Sequence, residues 1–477
     1  MLFNSFEFLV FLPIVFILYW FVFRQLRLQN LLIVVASYIF YGWWDYRFLF
    51  LIAFTTICSY SLALLVDSQK SSGKMGSGKV LTALNIIINL LILGIFKYFN
   101  FFSSSFAQMC NGFGVTVHPI TLNLVLPVGI SFYTFQALSY TIDVYKGKLS
   151  ATRDIVSFFA FISFFPQLVA GPIERATNLL PQFQKERRFN YATAVDGTKQ
   201  ILWGLFKKMV IADNCADIVD KIWLDYSNHS TLMLLVAAVL FSFQIYGDFS
   251  GYSDIAIGTA KLFGIRLMRN FNIPYLSRSV AEFWKRWHIS LNTWFVDYVY
   301  IPLGGSRLGK WKTIRNTFVI FFLSGLWHGA NWTYVTWGLY HAALFIPALL
   351  VGGRRKYKDV VAQNRAFPNF QELWQVLRTF ILASFGWIIF RADSMSDFVG
   401  YVSCLFHNYA INEPIIGKKV FLFIAILIVV EWLNRKKEHA FAISVRNQWL
   451  RWSIYLLMAV LCLTEAGKQA QFIYFQF

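Results

Sequence analysis

Charge is scarce in this chain. Of its 477 residues, only 14% are Asp, Glu, Lys or Arg and 57% are hydrophobic, whereas a soluble domain carries about a quarter charged residues. The deficit excludes a water-soluble globular protein and points to lipid as the solvent. Cysteine is sparse too: Cys58, Cys110, Cys215, Cys404 and Cys462 stand apart without paired spacing, which excludes both a metal cluster and a disulfide framework. Long polar segments are missing. The largest, around residues 171–200 and 352–371, are the size of linkers or interfacial helices, so no separate soluble domain is expected. No period of about 20 to 50 residues repeats, which excludes a solenoid, and the absence of inverted halves counts against a carrier. The first apolar stretch follows Glu7 rather than a basic segment, and no small-residue cleavage pattern ends it. It is expected to stay in the mature protein rather than leave as a signal peptide.

What the chain has instead is apolar length. Phe8–Val22, Phe48–Val66, Val80–Phe96, Leu232–Tyr246, Trp332–Val351, Val420–Val430 and Ile454–Leu463 are apolar runs, and about 20 such residues span the hydrocarbon core of a bilayer. The expected fold class is all-α, a polytopic integral membrane protein. A net charge of +19 would also suit nucleic acid. Its Lys and Arg sit mostly in short loops between apolar runs, however, which is the pattern of membrane topology, so no nucleic-acid partner is expected. Basic-rich loops near residues 24–28, 67–79 and 144–153 alternate with basic-poor ones, which places those three in the cytoplasm and the N-terminus outside. Gly73-Lys74-Met75-Gly76-Ser77-Gly78-Lys79 nearly fits a phosphate-binding loop, but Val80 stands where Ser or Thr should hold magnesium and no buried strand precedes it. It is expected to be a basic turn between two spans.

The middle third departs from its flanks. Residues 247–315 mix aromatics, Gly, Asp, Arg, Lys and His in segments too polar to face lipid, so they are expected to be buried in protein or to line a wet cavity. The short apolar run Thr317–Trp327 then ends at His328-Gly329-Ala330-Asn331. Counting from Arg315 at an interface, about 1.5 Å per helical residue carries His328 roughly 20 Å deep, near the middle of a bilayer. An ionisable side chain at that depth is costly and marks a functional site by default; the alternative is a structural histidine hydrogen-bonded to a neighbouring helix. Desolvation favours neutral imidazole, whose free nitrogen suits a general base. His288 sits in Glu282-Phe283-Trp284-Lys285-Arg286-Trp287-His288-Ile289-Ser290. Trp284 and His288, four apart, are expected to share one helical face, with Lys285 and Arg286 turned towards water or phosphate. The alternative there is an interfacial helix with anchoring Trp residues around a packed histidine.

Other polar groups read differently. Asp248 and Asp254, in Tyr246-Gly247-Asp248-Phe249-Ser250-Gly251-Tyr252-Ser253-Asp254, are expected to pair with basic residues more than to act chemically. Gly171-Pro172-Ile173-Glu174-Arg175 reads as a helix stop whose Glu174 and Arg175 would hold an internal ion pair. His341 and the Glu465/Lys468 pair are expected to be structural polar groups at membrane depth.

Taken together, Trp284-Lys285-Arg286-Trp287-His288-Ile289-Ser290, Tyr298-Val299-Tyr300-Ile301-Pro302-Leu303-Gly304-Gly305-Ser306 and Leu326-Trp327-His328-Gly329-Ala330-Asn331-Trp332 resemble the membrane-bound O-acyltransferase family. The resemblance is to its bacterial branch, which includes the alginate O-acetylation membrane protein, with the D-alanyl transferase of teichoic acid more distant. Phe3–Tyr19, Pro127-Val128-Gly129-Ile130-Ser131-Phe132-Tyr133, residues 171–175, Asp248–Asp254 and the ending Phe472-Ile473-Tyr474-Phe475-Gln476-Phe477 extend it over essentially the whole chain. It implies one membrane domain over residues 1–477 with a polar catalytic core at about 247–345. The implied architecture is a ring of about 11 transmembrane helices with re-entrant or interfacial helices. A cytoplasmic tunnel for the acyl donor would meet an external funnel for the acceptor.

By the same resemblance His328 corresponds to the family's active-site histidine and His288 to its second catalytic position. Trp284, Trp287, Ser290, Trp327, Asn331, Asp248, Glu174 and Arg175 are the candidate supporting or substrate-binding residues, and His288, with nearby Trp and amide donors such as Asn331, would orient the donor or stabilise the tetrahedral oxyanion. No metal and no tightly bound cofactor are implied. The expected activity is O-acetylation of a cell-envelope or extracellular polysaccharide across the bacterial cytoplasmic (inner) membrane, with acetyl-CoA as donor. An exported esterase-like partner would finish the transfer, since no such domain is fused here and no serine nucleophile elbow is present. The competing expectations are D-alanyl transfer to a teichoic-acid-like polymer, a glycan transporter or flippase whose histidines couple protons, and an assembly scaffold with structural histidines.

Overall fold

The computed structural model describes residues 1–350, 357, 359–410, 412–443, 445–466 and 470–473. Val351, Lys468 and residues 474–477 of the segments discussed above lie outside the described residues. Among the described residues the chain is helical throughout, with no strand. It divides into two compact units, Met1–Gly197 with Thr259–Met268, and Thr198–Gly258 with Arg269–Phe477. The first holds α1 (Phe6–Ile17), α2 (Leu26–Gly42), α3 (Arg47–Ser71), α4 (Met75–Leu93), α5 (Phe99–Gly112), α6 (Ile130–Tyr145), α7 (Ile155–Ser163), α8 (Phe165–Leu168) and α9 (Ala176–Phe183), while α10 (Tyr191–Leu205) straddles the division. The second holds α11 (Asp213–Leu224), most of α12 (Thr231–Leu262), α13 (Val280–Arg286), α14 (Ile289–Phe295), α15 (Lys310–His328), α16 (Trp332–Leu350), α17 (Phe370–Arg391), α18 (Met395–His407), α19 (Lys418–Leu433) and α20 (Gln448–Thr464).

Among the described residues five helical stretches are long and apolar enough to cross a membrane: Arg47–Ser71, Met75–Gly112, Thr231–Leu262, Trp332–Leu350 and Phe370–Arg391. Three shorter apolar helices, Phe6–Val22, Leu26–Gly42 and Gln448–Thr464, add to them. Phe50, Ile87, Leu91, Leu422 and Leu463 stand exposed on these and neighbouring helices. Contiguous outward apolar rows of this kind are untenable in water and ordinary against lipid. Over its described residues each expected apolar run falls in a helix, and of the eight apolar stretches two, α2 and α17, were not expected as runs. In α2 the sequence is broken by Gln29, Asn30 and Ser37, all buried, and α17 opens with the polar capping box of Asn369 and Glu372. Of the near P-loop expected to be a turn, only Gly73 and Lys74 lie between the stretches Arg47–Ser71 and Met75–Gly112, and Met75–Lys79 open the helix α4.

Polar contacts inside the first unit are made between helices. Ser59 of α3 donates to Asn85 Oδ1 of α4 at 3.1 Å, and Asn85 Nδ2 donates to Thr141 Oγ1 of α6 at 2.8 Å. Away from water such side chains tie helices together. Glu174 is fully buried; it accepts from the Met268 N–H and, at 2.7 Å, from Asn178 Nδ2, so it anchors the 171–175 turn to the segment that follows α12.

In the second unit, α15 and α16 form a tight hairpin that sets the position of His328. A Cβ on Gly338 would lie 2.2 Å from the Phe321 carbonyl oxygen, and one on Gly325 would lie 2.3 Å from that of Tyr334. Only glycine lets the two backbones touch there. The substitution Gly338→Ala is therefore expected to force the helices apart and destabilise the protein by about 1–3 kcal/mol. A fall in the thermal unfolding temperature in detergent, with lost activity, checks this; an unchanged melting curve would refute the close approach.

Candidate active site

His328 is the last residue of α15 and His288 stands at the start of α14; both are almost fully buried. Their ring centroids are 6.3 Å apart. Trp327 lies beside both, 5.5 Å from His288 and 5.0 Å from His328, and Trp337 and Phe390 close around His328 at 5.0 and 5.4 Å. Phe249 of α12 meets His288 edge-on at 4.6 Å. Two imidazoles thus lie side by side, inclined at 62°, inside an aromatic shell that shields them from bulk water.

The helix around His288 is broken, which corrects the shared face expected for Trp284 and His288. The first helix, α13, begins at Ser279, whose hydroxyl accepts from the Glu282 N–H, and stops at Arg286. Trp287 is extended, and His288 takes a left-handed backbone, φ 44° and ψ 53°, before α14 starts. Asn292 explains the break locally: its Nδ2 donates to the carbonyls of Trp284 (2.7 Å) and Trp287 (2.6 Å). Trp284 consequently turns to His341, donating from Nε1 to Nδ1 at 3.3 Å, and Trp287 packs on Trp387 at 4.8 Å. Arg286 is not turned to water either. It is buried on Glu282 at 2.9 Å, while Lys285 is exposed.

His288 is oriented by Asn270, a residue that no motif marks. Its Nδ1 lies 3.1 Å from Asn270 Oδ1, which also receives the Ser290 N–H at 3.3 Å and the Ser290 hydroxyl at 2.9 Å. Asn270 Nδ2 donates to Ser253 Oγ of α12 at 3.1 Å. The short helices that carry His288 are outside the long apolar spans, and burial pushes its imidazole well below the ordinary histidine range. It is neutral at physiological pH.

The remaining candidates are placed as follows. Ser290 supports Asn270, and Trp327 packs beside both histidines. Asn331, expected as an oxyanion donor, caps α16 instead: its Oδ1 accepts from the Thr333 N–H at 3.1 Å and its Nδ2 is turned to the Asp393 carbonyl at 2.7 Å. Asp248 and Asp254 pair with lysines, as expected. Lys208 Nζ lies 2.7 Å from Asp248 and 2.8 Å from Asp213, and Lys207 Nζ lies 2.5 Å from Asp254. Both lysines project from a widened turn, Phe206–Ala212. Glu174 and Arg175 belong to the first unit, the histidines to the second. Glu465 pairs with Lys419. Among the described residues no group of three His, Cys, Asp or Glu side chains is placed to hold a metal ion.

The apolar helices define a multi-pass membrane protein, and its second unit buries a pair of neighbouring histidines. Its chemistry is settled by kinship: the model of the membrane-bound O-acyltransferase family matches residues 35–390, and the chain belongs to that family. It is an O-acyltransferase. It is 40% identical over 396 residues to the probable alginate O-acetylase AlgI of Pseudomonas aeruginosa, covering 83% of this chain and 73% of that protein. It is also 30% identical over 502 residues to the peptidoglycan O-acetyltransferase of Helicobacter pylori, covering 94% and 91%. The teichoic acid D-alanyltransferase of Bacillus subtilis is 31% identical over 281 residues, covering 56% and 69%.

Proposed function

We propose that this protein transfers an acetyl group from acetyl-CoA for the O-acetylation of a cell-envelope or extracellular polysaccharide, with His328 and His288 as its catalytic pair. The observation that carries this reading is the pair itself: two buried imidazoles 6.3 Å apart between centroids, close enough for one reacting group to lie in reach of both. His328 takes the proton of an acceptor hydroxyl as its oxygen attacks the thioester carbonyl; the new C–O bond forms, the C–S bond breaks, and the thiol leaves with a proton. In a second route the His328 imidazole nitrogen attacks the thioester, so that a C–N bond forms as C–S breaks and the thiol leaves; the acceptor hydroxyl then forms the C–O bond as C–N breaks and its proton returns to the ring. His288 lies beside the same reacting group and helps to orient it.

The names of the relatives support acetyl as the group and a polysaccharide as the acceptor, since one acts on alginate and another on peptidoglycan. D-alanyl transfer to a teichoic-acid-like polymer is the second reading, supported by the D-alanyltransferase match. The positive-inside pattern supports an N-terminus outside the cytoplasmic membrane and donor access from the cytoplasm. An exported partner that completes polymer acetylation belongs to this reading, since the acceptor lies on the far side.

Purified protein in vesicles is expected to release free thiol from acetyl-CoA when acceptor polymer is supplied, and to place labelled acetyl on that polymer. A transporter or flippase would move glycan without releasing thiol. Thiol release from a D-alanyl carrier alone would favour the second reading.

A further inference from the structure

We propose that Asn270 is the positioning residue of the site, holding His288 in the tautomer with hydrogen on Nδ1 so that Nε2 offers its lone pair to the reacting group. This rests on the reading of His288 as half of the catalytic pair.

The argument starts from a donor whose role is not adjustable. A backbone N–H can only donate, so the Asn270 atom that faces the Ser290 N–H at 3.3 Å must be the carbonyl oxygen rather than the amide nitrogen. The opposite end agrees: Nδ2 donates to Ser253 Oγ at 3.1 Å. His288 Nδ1 faces that same carbonyl oxygen at 3.1 Å. Two acceptors cannot bond to each other, so Nδ1 carries the hydrogen. Neutral imidazole has one N–H, and Nε2 is therefore the basic nitrogen.

The backbone holds the same geometry from beneath. The Ile289 N–H donates to the Asn270 carbonyl at 2.9 Å, and the Asn272 N–H donates to the Arg286 carbonyl at 2.9 Å. This pairing pins the segment in which His288 is left-handed, a strained conformation for a non-glycine residue that persists only where its surroundings impose it. Asn270 thus acts through two separate groups. Its main chain keeps the strained turn closed, and its side chain aims the ring. Replacing the side chain removes the second function and leaves the first.

Two substitutions separate positioning from mere packing. Asn270→Ala removes the acceptor for Nδ1–H and frees the ring to change tautomer; kcat is expected to fall about 10- to 100-fold, as when an oriented imidazole loses its outer partner, with KM for acetyl-CoA within about twofold. Asn270→Asp keeps an acceptor at the same place, and Ser253 can rotate to donate to the second oxygen. The carboxylate also favours imidazolium, so the acid limb of the pH–activity profile is expected to move to higher pH by about one unit, with activity recovered above it. A packing residue would leave the shape of that profile unchanged. An Asn270→Asp profile superimposable on wild type, or an unaltered kcat in Asn270→Ala, overturns the proposal. Should either variant fail to fold, ring-nitrogen NMR of the wild-type protein, with His288 assigned from His288→Gln, reads the tautomer directly; hydrogen on Nε2 overturns it. The underlying reading fails separately. If His288→Ala is as active as wild type, the catalytic pair is wrong, whereas an inactive His288→Ala with a neutral Asn270→Ala sinks only the positioning role.

Discussion

Replacing His328 by alanine is expected to lower acyl transfer by about 10²- to 10⁴-fold, the range for loss of a positioned general base, while leaving membrane levels of the protein unchanged. The ring is held by Trp327, Trp337 and Phe390, and the α15–α16 hairpin that delivers it closes through Gly325 and Gly338 rather than through the histidine. Its removal costs packing, about 1–2 kcal/mol at such a site, and that is too little to unfold the chain. Labelled acetyl transferred to polymer, with thermal unfolding measured alongside, separates the two effects. If transfer survives in His328→Ala, the histidine is structural and transport or scaffolding becomes the better account of the pair. If transfer is lost together with folding, the chemistry has to be tested through His288.

Lys208→Ala is expected to destabilise the protein by about 3–5 kcal/mol, because it strands two buried carboxylates at once. The ammonium sits 2.7 Å from Asp248 and 2.8 Å from Asp213, and all three side chains are nearly inaccessible. Asp248 also accepts the Ile473 N–H at 2.6 Å, and Lys208 donates to the Ala470 carbonyl at 3.2 Å, so the same charges clasp the last described residues into the second unit. The variant should therefore melt early in detergent and release the tail to protease. Combining Lys208→Met with Asp248→Asn and Asp213→Asn removes the stranded charge and is expected to recover most of the lost stability. Equal destabilisation by the single and triple substitutions would show that side-chain shape, not charge, does the work there. Asp248 belongs in this way to the frame of the site, although its neighbour Phe249 touches His288.

The two histidines were legible because each breaks a local rule. His328 ends an apolar run where lipid would exclude it, and His288 interrupts a stretch crowded with Trp. Asn270 sits in the plain segment Arg269-Asn270-Phe271-Asn272, and its importance comes from contacts with residues 17 to 20 positions away along the chain. Periodicity cannot report such a contact. The expected helical face of Trp284 and His288 failed for a related reason: the Asn292 side chain takes up the carbonyls that would have continued the helix, and spacing alone does not see it.

The amino-acid sequence by itself determined the solvent, the helical class and the family, and it singled out the two histidines as candidates, because these follow from composition, apolar length and local strings of residues. The lysine partners of Asp248 and Asp254 were partly foreseeable, since buried carboxylates need cations. Only the tertiary structure decided that Trp284 serves His341, that Asn331 caps a helix, and that one amide fixes the proton on His288. Each of these is a choice among hydrogen-bond partners. Inside protein a polar group must find one nearby, and which one lies within 3 Å or so is set by how helices distant in sequence cross, here through glycines that let α15 and α16 touch.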